Sequence, residues 1–181
     1  MRWSIHPRAP WYLGALSFAE SSFFPIPPDI MLAPMALARP DHAWRYALLT
    51  TVASVLGGVL GYVIGLFLFE QIEPFLIQWG YWGRYQQVGD WFTRWGFWAI
   101  FLAGFSPVPY KLFTIGAGAI SMAFAPFVLA SVIGRGARFF LVATLMRWGG
   151  ARMEKTLRIY IDRLGWIVVA LVIVGYWVVR H

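Results

Sequence analysis

The chain has 181 residues, no cysteine and a formal net charge of +7, with 60% hydrophobic and 13% charged residues and a mean hydropathy of +0.63. So few polar residues cannot cover a soluble domain of this length, and the lack of cysteine excludes disulfides, thiolate chemistry and cysteine-type zinc sites. The basic residues border apolar stretches instead of forming a separate face, which points to anionic headgroups and away from nucleic acid, while 11 tryptophans and 8 tyrosines suit the headgroup level of a bilayer.

Residues 1–10 carry Arg2 and Arg8 and no acid. They do not read as a signal peptide, because the apolar segment after them is interrupted by Glu20 and then by prolines. Residues 11–24 are apolar but too short to cross a membrane. The stretch "FFPIPPD" at 23–29 stops the helix, since Pro25, Pro27 and Pro28 lack a donor and clash with the preceding turn. Residues 30–38 are apolar again, so 11–38 reads as a re-entrant helical hairpin. Residues 46–69 run 24 residues without a charge, long enough to cross a hydrocarbon core of roughly 30 Å with some tilt. Inside this span Gly57, Gly61 and Gly65 recur every four residues, as in a seam for close helix packing or a path for lipid.

In 71–94 the apolar residues Tyr81, Tyr85, Val88, Phe92 and Trp95 keep helical spacing and the polar ones avoid that stripe, which predicts an amphipathic helix lying in the interface. Trp79, Trp82, Trp91 and Trp98 read as interfacial anchors. Residues 95–122 repeat the first plan, with "FSPVPYK" at 105–111 as the break and Pro107 and Pro109 as its prolines. A span is expected at 123–148, a second amphipathic stretch at 151–163 and a last span at 164–180. The expected fold is therefore an all-α polytopic membrane protein forming a single domain over 1–181. It has about three full transmembrane helices, two oppositely oriented re-entrant hairpins and an interfacial amphipathic helix.

Counting Lys and Arg places 1–10, 39–45 and 147–163 in the cytoplasm and 70–94 outside, so the N-terminus is cytoplasmic and the C-terminus external. The two hairpins then enter from opposite faces as an inverted repeat, and their tips meet near the midplane. Non-helical backbone at that depth lines a cavity or is buried in protein. The acidic end of the first break, Asp29, can pair there with the basic end of the second, Lys111.

Glu20, Asp29, Lys111, Arg135 and Arg138 all fall at membrane depth. An unpaired charge there costs about 2.5–3.5 kcal/mol on insertion scales, so these residues must pair, meet water or change protonation. One reading is a structural lock between the hairpins. The other is a site for an anion such as a phosphate, because three bases exceed two acids and guanidinium groups match phosphate oxygens. Glu20 is also a candidate proton carrier. His6, His42 and His181 lie outside the spans, so neither an intramembrane Ser–His pair nor a histidine metal site is expected. No metal, no cofactor and no enzymatic activity are expected.

The runs "ESSFFPIPPDIMLAPMA", "GGVLGYVIG", "GFSPVPYKLFTIGAG" and "GRGARF" together resemble the DedA family, also called the SNARE-associated or VTT-domain superfamily, and within it the bacterial YqaA-like branch. The resemblance covers roughly residues 11–150. It implies two oppositely directed hairpins and lipid translocation, in bacterial members the return of undecaprenyl phosphate across the inner membrane with proton coupling, and in eukaryotic relatives phospholipid scrambling. Family acids fall on Glu20 and Asp29, and Arg135 and Arg138 match the branch's basic pair. The arginine that many members carry before the second break is Gly104 here, and Lys111 approximates the next basic position.

The expected function is thus a flippase or scramblase of the bacterial inner membrane for a phosphate-bearing lipid. Arg135, Arg138 and Lys111 would bind phosphate, Glu20 and Asp29 would couple protons or gate, and Pro25, Pro27, Pro28, Pro107 and Pro109 would line the cavity. Its partners are anionic or phosphate-headgroup lipids, and its apolar faces are compatible with a homo-oligomer. The rival readings are a proton-coupled exporter of small solutes or ions and a non-transporting assembly factor.

Overall fold

The computed structural model describes residues 6, 8–22, 26–106 and 109–149. Pro25, Pro107, the amphipathic stretch 151–163, the span 164–180 and the orientation of the C-terminus lie outside the described residues. Every described element is helical: α1 (Ala9–Ser22), α2 (Asp29–Ala38), α3 (Ala43–Gln78), α4 (Trp82–Phe105), α5 (Tyr110–Ala119) and α6 (Phe124–Gly149). A short 3-10 turn at Pro40–His42 leads into α3. Two helices, Pro40–Gln78 with that turn included and Phe124–Gly149, are long and apolar enough to cross a membrane.

Both proline breaks separate helices. Pro28, with φ −66° and ψ −16°, caps the start of α2, and Pro109, with φ −59° and ψ 98°, caps the start of α5. A proline suits that position because its φ already matches the helix and its missing N–H has no partner there in any case. The two helices that follow have 10 residues each, about 15 Å, which is half a hydrocarbon core.

The helix expected at 46–69 continues to Gln78, although Glu70, Glu73 and Pro74 lie on its way. Pro74 removes one backbone hydrogen bond and crowds the preceding turn, a cost of about 3 kcal/mol, yet the helix continues through it with Ile72, Phe75 and Ile77 exposed. The interfacial segment expected at 71–94 is accordingly divided. The chain turns at Gly80, where φ is +73°, a conformation glycine adopts without strain. It re-enters as α4, which runs unbroken into the arm expected at 95–105. The amphipathic stripe of 81–95 meets α3: Tyr85, Val88 and Phe92 share an apolar groove with Leu68, Phe69 and Ile72, and Phe69 stacks on Tyr85 with ring centroids 4.7 Å apart.

α3 is the spine. α1 lies along its first half and runs parallel to it, as the rising register of Gly14 beside Leu49, Ser17 to Thr50 and Ser22 to Gly57 requires. α5 lies along the second half, with Tyr110 against Gly58, Thr114 against Gly61 and Ile115 against Gly65. At Gly57 a Cβ would run into the Phe18 carbonyl, and at Gly65 into the Ile115 carbonyl. The four-residue glycine spacing thus serves two neighbours in succession, α1 and then α5.

Two apolar clusters result. The first joins Ala9 and Leu13 of α1, Leu32, Met35 and Ala36 of α2, Ala43, Tyr46 and Ala47 of α3, and Phe139 to Met146 of α6. The second joins Tyr62 of α3, Ile100 and Ala103 of α4, Tyr110 and Ala117 of α5, and Phe127 and Ala130 of α6. α3 begins in the first cluster and α6 ends there, so the two long helices run in opposite directions. The outward face of α3 exposes Leu48, Val52, Leu56, Leu60, Ile64 and Phe67, a helical stripe suited to hydrocarbon contact.

Substituting Gly57 or Gly65 by alanine should lower the stability of the detergent-purified protein by about 1–3 kcal/mol through overpacking. Gly14→Ala, whose added Cβ meets Leu49 at an ordinary 3.7 Å, should be neutral or slightly stabilising. Thermal unfolding of the three variants checks the contrast, and equal stability of all three would refute the glycine seam.

Candidate functional site

Between the two apolar clusters lies a layer of buried polar side chains: Ser17, Ser21, Ser22, Thr50, Thr51, Ser54, Ser106, Thr114, Ser131 and Arg135. Its hydroxyls come mostly from helix flanks that face each other. Ser17 donates to the Thr50 carbonyl at 2.8 Å, Ser22 to the Gly57 carbonyl at 3.1 Å, and Ser21 and Ser54 share a hydrogen bond of 2.7 Å. Small hydroxyls let α1 and α3 approach while their protons find carbonyls.

Arg135 crosses this layer from α6 and is 2% exposed. Its Nε donates to Ser54 Oγ at 2.5 Å. Its Nη2 donates to Ser21 Oγ at 3.1 Å and forms an ion pair with Glu20. The guanidinium carbon also stands 4.8 Å from the ring centroids of both Tyr110 and Phe139, so aromatic faces cover its two sides. One charge is thereby tied to α1, α3 and α5 as well as to its own helix.

Arg138, one turn further along α6, is held differently. Its Nη2 pairs with Asp29 Oδ2 at 2.5 Å, and its Nη1 donates to the Ser106 carbonyl at 2.7 Å. Asp29 opens α2 after the first break and Ser106 closes α4 at the second, so this guanidinium spans both breaks. Arg138 Nε and Asp29 Oδ1 are buried without a hydrogen-bond partner. The side chains of Arg138 and Asp29 are 12% and 22% exposed, against 3% for Arg135 and 15% for Glu20.

Four of the five residues expected at membrane depth therefore gather in one layer, as two acid–base pairs with no net charge. The partner that holds Asp29 comes from α6, a third element that neither break supplies. Lys111 sits partly buried in the first turn of α5, and its carbonyl accepts from the Thr114 hydroxyl at 3.0 Å. Of the break prolines, Pro28 is fully buried, while Pro27 and Pro109 are exposed. The hydroxyl partners Ser21 and Ser54 were not singled out from the sequence. Their signal is the four-residue repeat of small hydroxyls, Ser17 with Ser21 and Thr50 with Ser54, inside otherwise apolar helices. Cavities of about 320 Å³ and 210 Å³ lie away from this layer, where α4 meets the end of α5.

At Gly104, where the resemblance expects an arginine, a Cβ would sit 3.3–3.4 Å from the backbone of Arg135 and Gly134. At Gly134 it would sit 2.6 Å from the Phe101 carbonyl. α4 and α6 cross too closely here for a long side chain, and the buried guanidinium groups come from α6.

A family model described as the VTT domain matches residues 25–148, and the chain belongs to that family. It is a helical membrane protein of the DedA type. A protein of Haemophilus influenzae, described as uncharacterized, is 45% identical over 181 residues, covering 100% of this chain and 94% of its own length. A protein of Histophilus somni, described as an uncharacterized HI0703 homolog, is 45% identical over 180 residues, with 99% and 94% covered. No solved structure matches the chain.

Removing one member of a buried ion pair leaves an uncompensated charge and costs about 3–5 kcal/mol, whereas replacing both with neutral groups of similar volume is often tolerated. Arg135→Met should therefore strongly destabilise the protein, and the double variant Glu20→Gln/Arg135→Met should recover most of the loss. A double-mutant cycle read by thermal unfolding measures this, and additive losses would show that the pair is not coupled.

Proposed function

We propose that the protein moves a phosphate-bearing lipid across the bacterial inner membrane. The observation that carries this reading is the electroneutral layer of two arginines and two acids, Arg135 buried and the others partly buried, between two apolar clusters and at the level where both proline breaks fall. Guanidinium forks match phosphate oxygens, and a layer that is neutral by itself accepts an anion only when an acid gives up its arginine. Protonating a carboxylate does that, which supplies the link to a pH gradient.

On this reading the helix–break–helix units α1–α2 and α4–α5 are re-entrant hairpins that form an inverted repeat, with the N-terminus cytoplasmic. The breaks, including Pro25, Pro27, Pro28, Pro107 and Pro109, line the headgroup passage while acyl or prenyl chains remain in the bilayer. A guanidinium from α6 meets the phosphate, Lys111 adds positive charge at the second break, and a carboxylate of the layer carries the proton. Backbone carbonyls released by the breaks take part as well, as the Ser106 carbonyl already does in holding Arg138.

The purified protein in liposomes should translocate a labelled polyprenyl phosphate faster than a zwitterionic phospholipid, and collapsing an imposed pH gradient should slow it. Arg138→Ala should reduce the rate by about 30-fold or more, as expected for truncating a buried charged hydrogen-bonding partner. Equal movement of every lipid regardless of Arg138 would sink the phosphate site. No lipid movement by folded protein would turn the reading towards a proton-coupled exporter of small solutes.

A further inference from the structure

We infer that the two ion pairs have separate tasks: Arg135–Glu20 is a fixed strut, and Arg138–Asp29 is the exchangeable pair whose arginine meets the phosphate and whose acid carries the proton. This rests on the reading of the protein as a mover of lipid phosphate and assigns the moving parts within that site.

Arg135 is the more enclosed and more widely tied of the two arginines. Its Nε and Nη2 donate to Ser54, Ser21 and Glu20, and the rings of Tyr110 and Phe139 stand 4.8 Å from its guanidinium carbon. Turning it towards an anion would break contacts to three other helices at once and leave Glu20 and two serines to be satisfied anew. Such a group positions its neighbours. It holds the end of α1 and the start of α5 against the middle of α3, and it sets the rotation of α6 that aims Arg138 one turn away.

Arg138 has the opposite character. Its Nε is buried with no acceptor, and Asp29 Oδ1 is buried with no donor. A buried donor without an acceptor is costly and suits a group that arrives. Both side chains are more exposed than their counterparts in the other pair. The contacts of Arg138 are also the ones that change if either break shifts, because they end on Asp29 and on the Ser106 carbonyl.

Among the described residues, the charged groups beside Asp29 are Arg138, its ion-pair partner, and the Arg135–Glu20 pair one turn along α6, while Tyr110 and Lys111 open α5 at the second break. At this level α3 contributes the hydroxyls of Thr51 and Ser54. The sign follows from these neighbours. Ionised Asp29 occupies Arg138 and repels phosphate, while neutral Asp29 releases the guanidinium. Loading therefore increases as pH falls on the loading side. On this assignment the Arg135–Glu20 strut keeps its partners and takes no part in the cycle.

The test compares isosteric neutral variants in the same liposome assay. The probe is labelled polyprenyl phosphate, followed across a range of pH on the loading side, and inorganic phosphate is added as competitor in a second arm. Asp29→Asn should flatten the pH profile, with loading at neutral pH raised to its acid-side level, although the probe's own ionisation is unchanged. Asp29→Asn/Arg138→Gln should lose movement by about 30-fold or more. Glu20→Gln should keep the wild-type pH midpoint. The double variant Glu20→Gln/Arg135→Met should keep that midpoint too, with a rate within about tenfold of wild type. If the double variant does not fold, Glu20→Asp, which keeps the ion pair while altering the acid, decides the matter and should keep the wild-type midpoint.

A Glu20→Gln profile that flattens while Asp29→Asn keeps its slope would overturn the assignment and exchange the two roles. Equal flattening in both would overturn the division of tasks while leaving phosphate-lipid movement standing. A wild type that moves no polyprenyl phosphate would overturn the inference together with the reading it rests on. Competition by millimolar inorganic phosphate with Arg138 present would identify the headgroup alone as the recognised chemistry. Its absence in a protein that still moves the lipid would show that the chain is recognised with it, and both outcomes keep Arg138 as the contact.

Discussion

The structure depends on how one guanidinium is kept satisfied away from water. Arg135 stands where an isolated charge is least tolerated, and its hydrogen-bond partners come from α1 and α3 while aromatic faces from α5 and α6 close over it. Each partner fixes an element. Glu20 and Ser21 hold the last turn of α1, Ser54 holds the middle of α3, and Tyr110 holds the first turn of α5. The ends of both broken helices are thus pinned to the same level of the spine by the demands of one side chain. Charge burial, usually a cost, here selects a single arrangement of helices whose apolar faces would otherwise accept several.

The glycines make that arrangement possible. Hydrophobic burial does not drive helices together in a bilayer, so close approach must supply the attraction through packing and weak polar contacts. Gly57 admits the end of α1, Gly65 admits α5, and Gly134 admits α4. Half-helices of about 15 Å have few contacts of their own, and each is therefore laid against a long helix wherever a missing Cβ lets backbone approach backbone. Ser17 and Ser22 complete the seam by donating to carbonyls of α3.

The two ion pairs sit one turn apart and differ in how fully they are satisfied. A more enclosed pair next to a more open one would combine rigidity with exchange on the reading proposed above. On the proposed reading the enclosed pair keeps the layer intact while the other trades partners, and the trade is confined to atoms that end on the two breaks. Broken backbone is suited to such a place, because freed carbonyls and short helix ends can change partners without unwinding a full span.

The sequence by itself determined the class of protein, the two proline breaks and the residues that had to meet. Composition forbids a soluble core, proline forbids a continuous helix, and buried charge forbids isolation, and all three constraints act locally. The set Glu20, Asp29, Lys111, Arg135 and Arg138 was legible for that reason, although the sequence set Lys111 against Asp29 where the structure sets Arg138. The division of 71–94 at Gly80 was not, because Glu70, Glu73 and Pro74 read as the end of the span although α3 continues through them to Gln78. Tertiary structure alone decided which acid meets which arginine, that Asp29 is held by a third helix and not only across the breaks, and that Ser21 and Ser54 join the network. Pairing at this depth is a matter of direction and distance. It depends on how far α6 is rotated where it crosses α4 at Gly104 and Gly134, and a contact between two backbones leaves almost no mark on the sequence beyond a glycine.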